Sequence, residues 1–408
     1  MTRIPASRVE AEAMDRADPL AHLRERFVLP EGVIYLDGHS LGPATRTALA
    51  GVGAAASEEW AEGLIRSWNA AGWIDLPLKV GAQIARLVGA QADEVVVADS
   101  VSVNLFKLAA AGLSLARSRT LIVEDDEFPT DQYVAEGLAG LTGVRLIRAA
   151  GGEGEAALLE SGGVLIRSVV NYRSGAVLDM AALEAAAREG GGLIVWDLSH
   201  ATGVIDVQLN AAGARMAAGC TYKFLNGGPG APAFVYVARE TAARASSPIS
   251  GWMGHAAPFA FASAYAPREG AARFAAGTPG ILSLSALAGA LEAFEGVEVA
   301  TLWTKARALG DLIVSRGAEL GLGCASPGVG ETRGGHVSLV HPEAHAIVQA
   351  LIAGGVIGDF RAPDVMRFGV APAYIRWADV WNAMDALADV LRTRAWDTPE
   401  FRVRAAVT

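Results

Sequence analysis

The sequence predicts an α/β fold: a large domain with a mostly parallel seven-stranded sheet flanked by helices, joined to a smaller α+β domain. Three observations predict it. Apolar runs of strand length recur at Glu94–Ala98, Thr120–Glu124, Val144–Arg148, Val164–Val170, Leu193–Trp196, Ala217–Cys220 and Ala233–Val237. Helical patterns at 102–116, 131–141, 180–189 and 207–213 separate most of them, which is the alternation of a parallel sheet. The last run follows its predecessor after only a short turn, too little chain for a crossover, so it is expected to be antiparallel.

The other elements follow in order. Residues 1 to about 30 read as a polar arm with one short helix. Ile34-Tyr35-Leu36 is a brief strand running into a turn at Asp37-Gly38. Pro43 suits a first helical turn, which predicts a helix from there to about Gly63. Trp68 and Trp73 flank a loop, and another helix runs from about Pro77 to Val88. The glycine-rich stretch Gly151 to Gly163 reads as a surface loop. Helical patterns resume near 284–296, 300–320, 343–353 and 376–394, with strands near 335–340 and 365–369. The expected division is an arm with part of the small domain at 1–60, the large domain at 61–290 and the small domain at 291–408.

Composition removes several classes. The 408 residues are 52% hydrophobic and carry a net charge of −10, with no block of basic residues, so neither a nucleic-acid groove nor a nucleic-acid partner is expected. No charge-free apolar run of about 18 residues occurs, so no membrane span is expected. Two cysteines, Cys220 and Cys324, give no disulfide framework, and the charged N-terminus does not read as a signal peptide. A cytoplasmic enzyme without a metal is the expectation.

The chemistry centres on Gly219-Cys220-Thr221-Tyr222-Lys223-Phe224-Leu225-Asn226-Gly227-Gly228-Pro229-Gly230. One lysine sits between a buried strand and a glycine-rich bend, a setting suited to a Schiff-base nucleophile. Alone it reads more readily as a solvated loop lysine. Leu193-Ile194-Val195-Trp196-Asp197-Leu198-Ser199-His200 supplies its partner, a carboxylate at the tip of a buried strand, where open α/β sheets bind ligands. This pair points to pyridoxal phosphate, with Asp197 holding the pyridine nitrogen protonated and Lys223 carrying the aldehyde. A phosphate needs donors at a helix start. Ser102, with the backbone of Val101, supplies them directly after Glu94–Ala98.

The lysine stretch and Trp196–His200 resemble the kynureninase family of fold type I, aspartate aminotransferase-like enzymes. So do Ile34–Gly42, Leu64–Asn69, Phe128–Asp131, Ser250–His255 and Gly355–Arg361, so the resemblance covers nearly the whole chain. It implies that Phe128 stacks on the pyridine, that Asp131 bonds near the ring hydroxyl, and that Ser168 and His200 contact the cofactor. Tyr222 would reach the phosphate and relay a proton. Trp252 and Thr278 would reach the phosphate of a neighbouring subunit, which implies a homodimer with a shared active site. Arg367 takes the position that binds the α-carboxylate, with Arg361, Arg333 and Arg376 as competitors on sequence alone. Trp68, His39 and Ser40 would line the aromatic end of the substrate. The resemblance also has departures. Val101 stands where threonine is common, and His39 where asparagine is common.

The activity so implied is hydrolytic Cβ–Cγ cleavage of L-kynurenine, and of its 3-hydroxy form, to the anthranilate and L-alanine, a step of tryptophan catabolism. Two alternatives remain at this point. A cysteine desulfurase would use Cys324 as nucleophile, although such enzymes place histidine before the lysine where this chain has Tyr222. A noncatalytic regulator that binds pyridoxal phosphate would need a DNA-binding appendage, and no basic segment supplies one.

Overall fold

The computed structural model describes residues 4–404. Its centre is a seven-stranded sheet made of β1 (Val95–Val97), β2 (Thr120–Glu124), β3 (Arg145–Ala149), β4 (Val164–Ser168), β5 (Leu193–Asp197), β6 (Met216–Gly219) and β7 (Phe234–Val237). The spatial order is β1-β7-β6-β5-β4-β2-β3. β2 through β6 pair in parallel, while β7 runs antiparallel to both β6 and β1, as the short turn after Lys223 predicts.

Alternation along each strand sends residues to opposite faces. Ile194 and Trp196 pack in one apolar cluster. Leu193 and Val195 pack in the other. Both faces are covered by helices, which is why the central strands read as unbroken apolar runs. The edge strand β3 is the exception, with Arg145 and Arg148 exposed, a charged rim that discourages pairing with another sheet. Register sets the site: Ser168 lies opposite Asp197, and Asp197 opposite Ala218. The C-terminal tips of β4, β5 and β6 are therefore level, with the lysine loop just beyond.

A four-stranded antiparallel sheet forms the second unit, ordered Asp359–Arg361, Val365–Gly369, His336–Val340, Gly323–Cys324. Helices Val299–Glu319, Ala344–Ala353 and Trp377–Thr393 accompany it. The N-terminal helix Arg8–Ala17 joins this unit. The carboxylate of Asp15 accepts from the backbone N–H groups of Trp377 (2.6 Å) and Ala378 (3.0 Å), capping the last long helix. Ile34–Tyr35 pairs in parallel with Val356–Ile357.

Three sequence expectations change. Gly151–Gly163 is not all loop: Gly154–Ser161 is a helix whose first turn is tied by Gly154 N–H to Glu124 Oε1 (2.7 Å) and whose end is Gly162, in the left-handed region. Its flanking glycines mask four helix formers, Ala156 to Leu159. Residues 207–213 form turns, because Gln208 and Gly213 both take positive φ and Leu209 N–H bonds back to Val88. The helix expected from Pro43 begins at Arg46, where the Thr45 side chain accepts from Ala48 N–H (3.0 Å), and residues Ala55–Gly63 continue it as a π-helix.

Candidate active site

The lysine loop is tightly knit. Thr221 Oγ1 donates to Pro232 O (2.7 Å), Gly227 N–H to Thr221 O (2.8 Å) and Asn226 N–H to Lys223 O (2.9 Å). The turn after Ile34–Tyr35 presses on it from the other side: Gly42 N–H donates to Tyr222 O (2.8 Å). A methyl group at Gly42 would collide with the carbonyl of Lys223 and the amide of Asn226. Gly42→Ala is therefore expected to shift the lysine and lower kcat about 10²-fold, the effect of misplacing a reacting group by about 1 Å; unchanged steady-state kinetics would show that the loop tolerates the shift.

Lys223 Nζ lies 3.0 Å from His200 Nε2. Asp197, at the tip of β5, is buried, and its Oδ1 accepts from Ser199 N–H (2.7 Å). Burial raises the Asp197 carboxyl pKa, while Ser199 and the charge of Lys223 pull it down. Asp131 is buried too. Burial, then the charges of Asp197 and Glu127, push it well above the usual carboxylate range. Glu127, which the sequence reading overlooked, is raised by burial and bound by Ser168 through its N–H (3.0 Å) and its hydroxyl (2.6 Å). The hydroxyl proton of Ser168 is thus committed to Glu127. Glu127 also accepts from Arg167 Nη1 (3.0 Å), so it has a cation of its own beside the site.

Pyridoxal phosphate fits this setting. Asp131 Oδ2 and His200 Nδ1 are buried polar atoms without a protein partner. Buried acids seeking a proton donor suit a pyridinium nitrogen and a ring hydroxyl. The phosphate end is the start of helix Val101–Gly112, capped by Ser100 Oγ, which accepts from Val103 N–H (3.4 Å). The first N–H groups of a helix have no partner within it and favour an anion. Asp99, just before, takes a φ of 50° and is clamped by the buried Lys107 (2.7 Å), whose Nζ also donates to Phe274 O (2.6 Å). Nothing in the sequence pattern singles out Lys107.

Arg367 is buried, and each of its three nitrogens already has a protein partner, which leaves one N–H on each terminal nitrogen. Nε donates to Asp359 Oδ2 (2.9 Å), Nη2 contacts the same oxygen, and Nη1 donates to Tyr172 O (2.6 Å). Arg361 Nη1 holds the other oxygen of Asp359 (3.0 Å). Of the competing arginines, Arg333 is buried against Asp311 (2.6 Å) and Arg376 pairs with Asp379 (2.7 Å) at a helix start, so both have structural duties.

His39 is fully buried, with Nδ1 3.5 Å from Asp37 and Nε2 3.8 Å from Asp359, and it stacks on His336 at 5.2 Å. His200 completes the group, 5.4 Å from His336. Burial foremost, then nearby Arg367 or Lys223, holds all three imidazoles well below the usual histidine range, so they are neutral. Burial, then the charge of Asp359, pushes the Asp37 carboxyl up to about 6.

The signs of the resulting pH effects differ. A depressed histidine contributes stability that is present above its unfolded value of 6.5 and lost as pH falls. The raised Asp37 contributes stability that is present below its unfolded value of 3.8 and lost as pH rises through about 6. His39→Asn should remove one such histidine. Between pH 7.5 and 5.5 its unfolding free energy should fall less steeply with decreasing pH than that of the wild type, by up to about 1.4 kcal/mol per pH unit. Equal slopes in urea titrations would contradict this.

The remaining candidates have other surroundings. Tyr222 lies beneath Lys223, with Nζ 5.9 Å from its ring centre, and burial raises its phenol pKa. Phe128 meets Tyr172 edge-on at 5.3 Å, and the buried Ser40 hydroxyl acts on the carboxyl of Asp37. Trp68 packs edge-on to Trp73, and Trp252 to Phe259. Thr278 lines a cavity of about 370 Å³ with Asp99, Ser100 and Arg268, at the phosphate-helix end of the sheet and not at Lys223. Cys220 is buried, while Cys324 is exposed on the short strand Gly323–Cys324.

A level row of strand tips, a lysine after the row and a carboxylate within it define a fold type I pyridoxal-phosphate enzyme. Solved structures agree on the fold. A variant of the cystine C–S lyase C-DES with glycine covalently linked to its cofactor superposes with a TM-score of 0.79 at 17% identity, covering 90% of this chain and 99% of that one. A cysteine desulfurase from Thermococcus onnurineus NA1 gives 0.77 at 17% identity, over 96% of this chain and 99% of that one. An aspartate aminotransferase from Thermus thermophilus gives 0.67 at 18%, over 88% and 99%. At these identities the likeness concerns fold alone.

Sequence relatives are more specific. Residues 302–387 match the kynureninase C-terminal domain family. Kynureninases of Burkholderia mallei and Pseudomonas fluorescens are 46% and 44% identical, each over 98% of this chain and the whole of the relative. The chain belongs to the kynureninase family. It is accordingly a hydrolase of carbon–carbon bonds that depends on pyridoxal phosphate.

Proposed function

We propose that this chain hydrolyses the Cβ–Cγ bond of L-kynurenine, giving anthranilate and L-alanine, with Lys223 as the reactive amine. One observation supports this most directly: the Lys223 amine stands 3.0 Å from a neutral His200, among the buried carboxyls of Asp197 and Asp131. Lys223 would hold the cofactor covalently, Asp197 its ring nitrogen, Asp131 its hydroxyl side, Phe128 and His200 its faces, and the start of helix Val101–Gly112 with Ser102 its phosphate. When bound, pyridoxal phosphate supplies an electron-withdrawing ring that stabilises negative charge on the substrate carbons next to the amine.

The chain's own residues do the rest. Lys223, freed once the substrate amine takes its place, would take the proton from the substrate's α-carbon and return one there before alanine leaves. Water adds to the γ-carbonyl, and the Cβ–Cγ bond then breaks, its electron pair staying on Cβ while Cγ leaves as the carboxyl group of anthranilate. Tyr222, held protonated by burial, gives a proton to Cβ. Arg367 binds the α-carboxylate through the N–H groups that Asp359 and Tyr172 leave available. His39, Ser40 and Trp68 flank the aromatic end.

We assign the catalytic unit to a homodimer in which Trp252 and Thr278 serve the partner's phosphate site. Trp252, Phe259 and Phe261 are exposed on one segment, Phe261 by 84%, an apolar surface suited to a second copy. Mixing inactive Lys223→Ala and Thr278→Ala subunits should restore activity if the site is shared, and no recovery would refute that arrangement. The division at residues 61–290 and 291–408, with the arm 1–60 on the smaller unit, is part of the same reading. So is a cytoplasmic location; among the described residues no helix is long and apolar enough to cross a membrane. Purified protein with added cofactor should release anthranilate and alanine in equal amounts from L-kynurenine, with the 3-hydroxy form as comparator. Absence of both products from either substrate would refute the assignment.

A further inference from the structure

His336 belongs to no motif read from the sequence, yet it stands at the middle of the site's polar interior. It opens the strand His336–Val340, opposite Gly369 and two residues before Ser338, the partner of Arg367. Its ring stacks on His39 with 15° between planes, and His200 lies 5.4 Å from it and 6.2 Å from His39, so the three rings form a triangle. The three imidazoles come from three separate segments: the turn after Ile34–Tyr35, the loop after β5, and the small sheet. His336 is fully buried. The carbonyl of Tyr172, which accepts from Arg367 Nη1, can serve one of its ring nitrogens, and the other has no protein partner.

A buried polar group without a partner destabilises a fold, whereas an apolar residue of similar size does not. Such a group persists where function requires it. We propose that His336 is a positioning residue: with His39 it braces His200 so that Nε2 faces Lys223 Nζ. This rests on the reading of Lys223 as the reactive amine. The charged groups facing His336 are Arg367, Lys223 and Arg333, and its neighbours His39 and His200 are neutral. Asp37 and Asp359 bound the far side of His39. With cations on several sides, His336 acts as a neutral ring whose shape and dipole orient its neighbour.

The test uses His336→Leu and His336→Asn, in the cofactor-free and the loaded protein. The Leu variant should keep or raise the cofactor-free Tm. It should also lower kcat about tenfold with KM little changed. The pH midpoint of the loaded protein's absorbance transition should move by at least about half a unit, as should the pH dependence of Lys223 modification by reductive methylation without cofactor. The Asn variant, too short to brace His200, should show the same shifts and decides the matter if the Leu variant does not fold. Parallel loss of Tm and kcat at unmoved pH midpoints would make His336 a packing residue and overturn the proposal. So would wild-type values throughout. The absorbance and methylation readouts need no substrate. A wild type that binds cofactor but leaves kynurenine intact would therefore refute the substrate assignment alone.

Discussion

Lys223→Ala is expected to lower kcat for kynurenine by roughly 10⁴-fold or more, because one amine serves both as covalent anchor and as base. The loaded variant should also lack the absorbance band of a lysine-bound cofactor. The geometry gives the amine no substitute: the nearest basic group is His200, which burial and Lys223 keep neutral. Lys107 is buried and tied to Asp99 and Phe274. Stability should change little, since Lys223 is only half-buried, although the carboxyls of Asp131 and Asp197 lose a nearby cation and should titrate higher still. A variant that turns over kynurenine with an intact band would sink the assignment of the amine.

Asp359→Ala should produce the largest loss of stability, about 3–5 kcal/mol, because it strips a buried guanidinium of its carboxylate. Arg367 meets Asp359 through two nitrogens, and Arg361 loses the same partner. The midpoint of urea unfolding reads the loss directly. The double variant Asp359→Ala with Arg367→Met should regain much of it, since replacing both members of a buried pair by apolar groups is often neutral. A single variant as stable as the wild type would mean that water reaches Arg367.

Much of this architecture is legible in the residues. The apolar runs of the large sheet are visible because both faces of each central strand are buried, and the short turn after Lys223 fixes the one reversed strand. Asp197 and Lys223 are legible for the same reason, as polar residues ending apolar runs. What escapes the sequence depends on contacts between distant segments. The fork of Arg367 looks wholly free until Asp359, eight residues earlier, is seen to hold one edge of it. Glu127 sits beside the Phe128–Asp131 motif, but its bond to Ser168 spans 41 residues. His336 gives no local signal, since a histidine starting an apolar strand reads as core. Thr45 displaces Pro43 as the start of its helix because only the folded chain shows which side chain reaches the free N–H.

The bond between Asp15 and the start of Trp377–Thr393 joins residues 362 positions apart. On a ribosome adding roughly 5–20 residues per second, the first helix would wait on the order of tens of seconds for the last one to emerge. During that interval the nascent large unit can form its parallel sheet while the opening segment remains undocked. Docking of the first helix therefore waits for synthesis of the last one, and loss of either helix should leave the same half-finished smaller unit.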